Sequence, residues 1–240
     1  GTAGLLDRPI RHEVLNISKF DGHIMRLGGT VLGTTNKGNP FAFPMPDGTK
    51  KDRSQEIIDG IKELELDAII GIGGDGSLAI LRKLCQQGGV KLIGIPKTID
   101  NDLGLTEVSV GFDTAVTVAT EALDRLHTTA ESHHRVILCE LMGRNAGWLT
   151  LYAGVASGAD VILLPEIPFD IEVICNFLHK RTDRGRNYAI VACAEGDEGG
   201  HMATTGGLRR FMTMFASGLA SGEVLASSSG RLRCTLSSEL

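Results

Sequence analysis

The chain has 240 residues, of which 42% are hydrophobic and 22% are charged, and this composition is typical of a soluble globular protein with a sizeable core. A net charge of -5 and an aromatic content of only 5% argue against a nucleic-acid-binding protein, since such proteins carry basic surfaces and aromatic stacking platforms. No apolar run approaches the roughly 20 residues that span a bilayer, and the first residues do not resemble a secretory signal. We therefore expect a cytoplasmic protein with neither a membrane nor a nucleic acid as partner.

The cysteine pattern predicts reduced thiols. The five cysteines are Cys85, Cys139, Cys175, Cys193 and Cys234. They are odd in number, far apart and mostly inside apolar runs, which is typical of the core of a cytosolic protein rather than of a disulfide framework. The histidines form no H-x-x-x-H pattern and no pair with C-x-x-C, so we do not expect a metal held by histidine and cysteine.

In chain order, a turn-rich segment comes first and alternating helical and strand patterns follow. Residues 33–50 are rich in Gly, Pro and Asn, which predicts a long exposed loop, and such loops are often functional. Helical periodicity predicts helices over 53–64, 77–87 and 112–130, and short apolar runs predict strands over 66–72, 91–95, 135–141, 160–164 and 188–194. This alternation predicts a doubly wound α/β fold with parallel sheets.

Residues 73–77, which read GGDGS, lie between the first predicted strand and the helix predicted to begin at Ser77. Ligands of a parallel sheet bind beyond the carboxyl ends of its strands, where backbone amides and a helix N-terminus can face phosphate oxygens. A dinucleotide site would also carry an acidic residue about 20 positions later, but Pro96 and Lys97 stand there. Asp75 instead suits a magnesium ion that binds together with phosphates. A tight turn without a ligand remains the alternative for this motif alone.

Residues 97–102, which read KTIDND, follow the next predicted strand and are therefore expected at the same edge of the sheet. They place a lysine and a threonine beside two carboxylates that flank an asparagine. An ordinary turn does not need this set, although Asx turns use such residues. Together with residues 73–77, the segment predicts a base beside a site for a metal and phosphates.

The combination of GGDGS (73–77), PKTIDND (96–102), MGRNAGW (142–148) and AEG (194–196), in that order, resembles the 6-phosphofructokinase family. GGTVLGTTNKGNP (28–40) is similar to the loop that covers the phosphates in that family. The resemblance implies a glycolytic kinase that uses ATP and Mg²⁺ to convert fructose 6-phosphate to fructose 1,6-bisphosphate. It also implies a substrate site between two α/β lobes.

The resemblance assigns a role to each motif residue. It implies that Asp100 is the base that removes the proton from the 1-hydroxyl of the sugar, while Thr98 and Lys97 meet the transferred phosphoryl group. Asp75 would hold Mg²⁺, and Asp102 would orient the metal or contact the substrate. The residues expected to bind the nucleotide phosphates are Gly73, Gly74, Gly76, Ser77 and Lys37. The residues expected to contact the sugar phosphate are Asp102, Arg135, Met142, Gly143, Arg144 and Glu195. Because Arg135 matches an arginine that reaches the neighbouring subunit's substrate, a homo-oligomer, a dimer or a tetramer, is implied.

Two other functions remain open at this stage. One is a pyrophosphate-dependent phosphofructokinase, although members of that type carry an aspartate where Gly76 stands, so Gly76 favours ATP. The other is a catalytically silent subunit or truncation product that binds ligands. The family's N-terminal glycine turn and its C-terminal basic loop for the sugar phosphate have no counterpart in the chain. We therefore expect residues 1–240 to form one partial phosphofructokinase domain with little activity alone.

Overall fold

The computed structural model describes residues 2–16, 18, 22–34, 38–143, 145–195 and 224–225. The chain divides into two compact units, Gly1–Ile95 and Pro96–Leu240. Within the part of the chain that is described, no helix is both long and apolar enough to cross a lipid bilayer.

The first unit contains short 3₁₀ turns, an antiparallel hairpin, two α-helices and a two-stranded sheet. Its 3₁₀ turns are Thr2–Leu6, Ile24–Arg26 and Pro40–Ala42, and its hairpin pairs β1 (Phe43–Pro44) with β2 (Lys50–Lys51). The following elements are α1 (Ser54–Glu63), β3 (Ala68–Gly73), α2 (Asp75–Gly88) and β4 (Lys91–Pro96), and β3 and β4 are neighbours in one sheet. The hairpin corrects the prediction that 33–50 is a plain loop, because its Gly, Pro and Asn residues form turns around short paired strands.

Helix α2 covers one face of the β3–β4 sheet, and the other face is apolar and exposed. A Cβ built on Gly71 or Gly94 would touch Leu78 of α2, so these alternate positions face the helix. Because side chains alternate along a strand, the isoleucines on either side of each glycine point to the face opposite α2. They are Ile70 (64% exposed), Ile72 (63%), Ile93 (59%) and Ile95 (37%). We call these four residues the isoleucine face.

The second unit is built around a four-stranded parallel sheet. Its elements are α3 (Phe112–Ser132), β5 (Val136–Leu141), α4 (Trp148–Ala156), β6 (Val161–Leu163), α5 (Ile171–Asp183), β7 (Ala189–Ala194) and β8 (Val224–Leu225). The strand order is β6-β7-β5-β8, and β5 pairs with β7 from Val136 opposite Ala189 to Leu141 opposite Ala194. Strands β5 and β7 are therefore central, which places the ends of these two strands in the middle of the sheet.

Helices pack on both faces of this sheet. On one face, Leu138 and Val191 pack against Ile174 and Leu178 of α5. On the other face, alternate residues of the same strands pack against α3 and α4. This second cluster includes Leu123, Ile137, Cys139, Leu149, Ala153, Ile190 and Ala192. The doubly wound α/β prediction is confirmed, because apolar residues at every position of a strand require cover on both sides.

The predicted strands and helical faces are also confirmed. Phe112, Ala119 and Leu123 are buried on α3, and Val116 and Leu126 pack partly buried against the same cluster. Cys85, Cys139, Cys175 and Cys193 are buried and in no disulfide, as predicted, and Cys234 lies outside the described residues. Burial holds the pKa of the Cys193 thiol far above its usual range. These cysteines are core residues and do not form disulfides.

Candidate active site

The first group of candidate residues is a glycine turn, residues 73–77, where β3 passes into α2. Strand β3 ends at Gly73, Gly74 is extended (φ -81°, ψ -176°), and α2 begins at Asp75. The prediction that the helix begins at Ser77 is wrong by two residues. Asp75 stabilises the positive end of the helix dipole, and Gly76 and Ser77 then complete the first turn. The free backbone amides of that turn are consequently those of the motif itself.

Gly73 and Gly76 differ in whether packing requires a glycine at their position. A Cβ on Gly73 would lie 2.9 Å from the Cβ of Ser77, so glycine is needed there for the helix to fold back on the strand. Among the described residues, a Cβ on Gly76 would meet no atom within 4 Å. Packing within this part of the chain therefore does not require glycine at 76, and the backbone there is open to a ligand. Asp75, Gly76 and Ser77 are all exposed, which leaves the turn accessible.

The second group is the carboxylate loop, residues 97–102, which follows β4. The Thr98 hydroxyl donates a hydrogen bond to Asp100 Oδ2 at 3.1 Å and accepts one from the Asp100 backbone N–H at 3.1 Å. Both residues are half-buried, whereas Lys97 and Asp102 are exposed. The threonine therefore fixes both the backbone and the carboxylate of Asp100, and the lysine presents a positive charge to solvent beside them.

The carboxylate loop is attached to the core at several points. Pro96 O accepts a hydrogen bond from Val110 N at 3.0 Å, and Lys97 forms a parallel bridge with Val110. Ile99 packs against the cluster that contains Phe112, the first residue of α3. The chain thus alternates between an apolar anchor at Ile99 and polar side chains at Thr98 and Asp100, which is how a loop can present a carboxylate rigidly.

The third group, which we call the strand-end group, consists of Met142, Gly143 and Glu195 at the carboxyl ends of β5 and β7. The Glu195 backbone N–H donates to Leu141 O at 2.8 Å, so the two strands remain paired up to this point. Met142 is exposed, and Gly143 is buried with φ +149°. A Cβ on Gly143 would collide with the carbonyl oxygen of Ala146, so the turn requires glycine. The structure therefore brings three of the predicted sugar-phosphate residues together.

Glu140, on β5 next to this group, is half-buried, and its carboxyl group has a shifted pKa. Burial, with a smaller contribution from the charge of Glu195, raises the pKa of Glu140 above its usual range. A raised carboxyl pKa means that the environment disfavours a second negative charge here.

Some predicted residues are not in these groups. Arg135 precedes β5, at the opposite end of the strand from Met142, and six strand residues of about 3.3 Å each separate the two ends. Arg135 is half-buried, and its carbonyl accepts from Ala189 N at 3.2 Å. The structure does not bring Arg135 to the strand-end group. Lys37 and Arg144 lie outside the described residues.

The chain shapes the strand-end turn through a residue that the sequence did not indicate. The Glu166 carboxylate, in the segment after β6, accepts a hydrogen bond from Gly147 N at 2.7 Å at the start of α4. A Cβ on Gly147 would lie 2.6 Å from Glu166 Oε2 and 2.9 Å from Leu164 Cδ2. The PE pair at 165–166 after an apolar strand was the available signal. Glu166 therefore caps the helix that follows the MGRNAG segment.

A magnesium ion fits the donor set of the glycine turn. Among the described residues, no three His, Cys, Asp or Glu side chains form a metal-binding cluster. Mg²⁺ in phosphoryl-transfer sites does not need such a cluster, because it takes one or two carboxylates and completes its shell with phosphate oxygens and water. Asp75 is an exposed carboxylate on a turn with free backbone amides, which is compatible with this mode of binding.

The chain matches known proteins over most of its length. Residues 1–230 match the family model described as Phosphofructokinase. The chain is 58% identical over 194 residues to ATP-dependent 6-phosphofructokinase 1 of Synechocystis sp. and 59% identical over 194 residues to the protein of the same name of Nostoc sp.. Each match covers 81% of this chain and 54% of the relative. The chain thus spans about half the length of the curated relatives it matches.

The fold is similar to that of a solved phosphofructokinase. The structure of phosphofructokinase from Saccharomyces cerevisiae matches with a TM-score of 0.67 and 26% identity, over 82% of this chain and 28% of that chain. The family model covers both units, and the residues of the glycine turn, the carboxylate loop and the strand-end group all lie within it. The chain belongs to the phosphofructokinase family.

Proposed function

We propose that the chain serves an ATP-dependent 6-phosphofructokinase, which transfers the γ-phosphoryl group of ATP to the 1-hydroxyl of fructose 6-phosphate. The observation that carries this proposal is the pairing of the Thr98 hydroxyl with the Asp100 carboxylate directly after β4. A carboxylate held in this way is the group that phosphoryl transfer to an alcohol needs near the nucleophile. The printed names of the cyanobacterial relatives support ATP as the donor.

In this mechanism Asp100 acts as the general base. Its carboxylate accepts the proton of the 1-hydroxyl while the hydroxyl oxygen forms a bond to the γ-phosphorus, and the bond from phosphorus to the leaving oxygen of ADP breaks. Thr98 keeps the carboxylate in one orientation through its hydrogen bond to Oδ2. Lys97, which is exposed beside them, compensates the negative charge of the transferred phosphoryl group. The base and the cation thus come from adjacent positions of one loop.

The glycine turn binds the nucleotide phosphates in this proposal. Gly74, Gly76 and Ser77 offer backbone amides at the N-terminus of α2, next to Gly73 at the end of β3, and the helix dipole favours negative charge there. Lys37, from the segment that resembles the family's loop over the phosphates, adds a positive charge. Bound Mg²⁺ would neutralise phosphate oxygens, and Asp75 is the residue that would hold it.

The strand-end group contacts the sugar phosphate. Gly143 permits the tight turn after β5, Met142 is exposed beside it, and the Glu195 carboxylate accepts hydrogen bonds from sugar hydroxyls. Arg144 supplies the cation for the phosphate. Asp102, exposed at the end of the carboxylate loop, contacts the substrate or orients the metal ion.

The position of Arg135 supports an oligomeric enzyme. Arg135 lies at the end of β5 remote from the strand-end group of its own chain, and the family resemblance assigns it to the substrate of a neighbouring subunit. We therefore include a homodimer or homotetramer in the proposal. Buried cysteines without disulfides at Cys85, Cys139, Cys175 and Cys193 fit a reducing, cytoplasmic location.

The test is phosphoryl transfer by the unmutated protein and by Asp100→Ser. Formation of fructose 1,6-bisphosphate is measured with ATP or pyrophosphate as donor, with and without Mg²⁺, on the 240-residue chain and on the longest product of its gene. We expect turnover with ATP from the longest product of the gene, and in that protein Asp100→Ser should lower kcat by about 10²- to 10⁴-fold while KM changes only several-fold. Pyrophosphate use with ATP ignored would overturn the donor assignment. A kcat that hardly changes in Asp100→Ser would remove Asp100 as the base.

A further inference from the structure

Asn101, between the two carboxylates of the carboxylate loop, has an unusual backbone conformation. Its φ is +53°, in the left-handed region, which only four non-glycine residues among those described adopt. Asparagine tolerates this region better than other residues because its short amide can form hydrogen bonds to the nearby backbone. The chain therefore turns sharply just after Asp100, and the residue at the turn is one that suits the conformation.

The side chain of Asn101 holds the following segment in place. Its Oδ1 accepts a hydrogen bond from Ser109 N at 2.8 Å, and its Nδ2 donates a longer one to Glu107 O at 3.4 Å. Ser109 is only 2% exposed, so its backbone N–H has no access to bulk water in place of this acceptor. Both polar atoms of the amide are thus used within the chain.

The segment that Asn101 holds leads directly to the core. Phe112 N donates to Ser109 O at 3.1 Å, and Phe112 begins α3 and is buried. Val110 N donates to Pro96 O at 3.0 Å, on the other side of the carboxylate loop. Residues 97–101 are therefore joined at both ends to the same stretch, residues 109–110, and this closed arrangement has Asp100 inside it.

We propose that Asn101 is a positioning residue for Asp100. The amide acts through the backbone: it fixes the turn after Asp100, as the Thr98 hydroxyl fixes the carboxylate before it. The inference rests on the proposed function for its catalytic consequence, but the hydrogen bond to Ser109 can be tested without any activity.

The decisive variant is Asn101→Gly, which keeps the left-handed backbone accessible and removes only the amide. The matched control is Leu105→Gly, because Leu105 lies in the same segment, also has a positive φ (+64°) and is fully exposed. Hydrogen–deuterium exchange is followed at the Ser109 amide. We expect it to become faster by about tenfold or more in Asn101→Gly, because the amide loses its acceptor, and to stay unchanged in Leu105→Gly. Equal protection in Asn101→Gly and the unmutated protein would overturn the proposal.

Kinetics separate positioning from a general effect on stability. Asn101→Gly should lower kcat about 10- to 100-fold while each KM stays within about threefold, since a misplaced base slows the chemical step more than binding. In the Asp100→Ser background the same change should alter the residual rate less than about twofold, because the group that it positions is absent. A loss of equal size in both backgrounds would show that Asn101 acts on the fold and would overturn the proposal.

The same experiments distinguish a failure of the proposed function. If the unmutated protein transfers phosphoryl groups from neither ATP nor pyrophosphate, the function is wrong, and Asn101 has no base to position in that reaction. The exchange measurement then still decides whether its amide holds the loop. If the unmutated protein is active and Asn101→Gly retains full kcat, the function stands and the positioning role is overturned.

Discussion

The hydroxyl of Thr98 allows a direct test of how Asp100 is held. In Thr98→Val the side chain keeps its size and β-branching but loses both hydrogen bonds to Asp100, each of 3.1 Å. Thr98→Ser is the matched control, because it keeps the hydroxyl and removes only a methyl group. Comparing the two variants therefore isolates the hydrogen bonds from the packing.

The expected magnitude follows from the charge of the acceptor. A hydrogen bond to a charged group contributes about 1.5–3 kcal/mol, and each 1.4 kcal/mol corresponds to a factor of about 10 in rate. Because Thr98 and Asp100 are only half-buried, water can replace part of the lost interaction. We therefore expect kcat/KM to fall about 10- to 30-fold in Thr98→Val and to stay within about threefold of the unmutated value in Thr98→Ser.

The assay measures fructose 1,6-bisphosphate formed from ATP and fructose 6-phosphate at saturating Mg²⁺, with thermal unfolding followed by far-ultraviolet circular dichroism. An unchanged Tm in Thr98→Val would show that the loss belongs to the site. If Thr98→Val retained kcat/KM within about twofold, the hydroxyl would not control the base. Equal losses in Thr98→Val and Thr98→Ser would also contradict the reasoning, because the serine retains the hydrogen bonds.

Three further predictions concern the other parts of the site. Gly76→Asp should reduce ATP use far more than pyrophosphate use, because the new charge opposes an α-phosphate that pyrophosphate lacks; donor-specific kcat/KM values measure this. Gly147→Ala should lower the free energy of unfolding by about 1–3 kcal/mol in urea titrations, because its Cβ would lie 2.6 Å from Glu166 Oε2 and 2.9 Å from Leu164. Burial raises the pKa of Glu140 in the folded state above the usual carboxyl pKa of 4.5. Between these two pKa values the folded state binds more protons than the unfolded state, so the free energy of unfolding falls as the pH rises. Glu140→Gln should remove this fall and raise Tm at pH 8 but not at pH 4, as thermal unfolding across pH would measure.

Each of these predictions has a control that could contradict it. Gly76→Ala adds a side chain without charge where a Cβ has open space, so a similar selective loss of ATP use in that variant would exclude repulsion as the cause. For Gly147, combining Gly147→Ala with Glu166→Ala should recover part of the lost stability, and a purely additive loss would exclude the clash with Glu166 as its cause. For Glu140, the same gain in Tm at pH 4 and pH 8 would show that charge is not involved.

Apolar periodicity predicted most of the fold. The strands at 135–141 and 188–194 have apolar residues at nearly every position, and the long helix at 112–130 has one apolar face, so their burial in a doubly wound fold follows from the pattern of apolar residues. The start of α2 was missed because Asp75 and Gly76 are typical of loops, although an acidic residue in a first turn is also favourable. The resemblance to phosphofructokinases is confirmed, whereas the roles of the individual residues stay predictions.

The contacts that shape the site were not predictable in the same way. The hydrogen bond from Gly147 to Glu166 joins residues 19 positions apart, and that from Ser109 to Asn101 joins residues 8 positions apart. Neither separation along the sequence matches the periodicity of a helix or a strand, so periodicity does not encode these contacts. They depend on where loops end relative to one another in three dimensions, which a single sequence does not specify.

The isoleucine face has a practical consequence for experiments on this chain. Dyes such as ANS become fluorescent on exposed apolar surface, and their binding is often read as a sign of a molten globule. Ile70, Ile72, Ile93 and Ile95 offer such a surface in the folded state. A dye-based melting curve would therefore begin with a high signal, and a destabilised variant could not be recognised from dye binding alone. Backbone spectroscopy, which does not respond to this surface, is the appropriate measure of folding here.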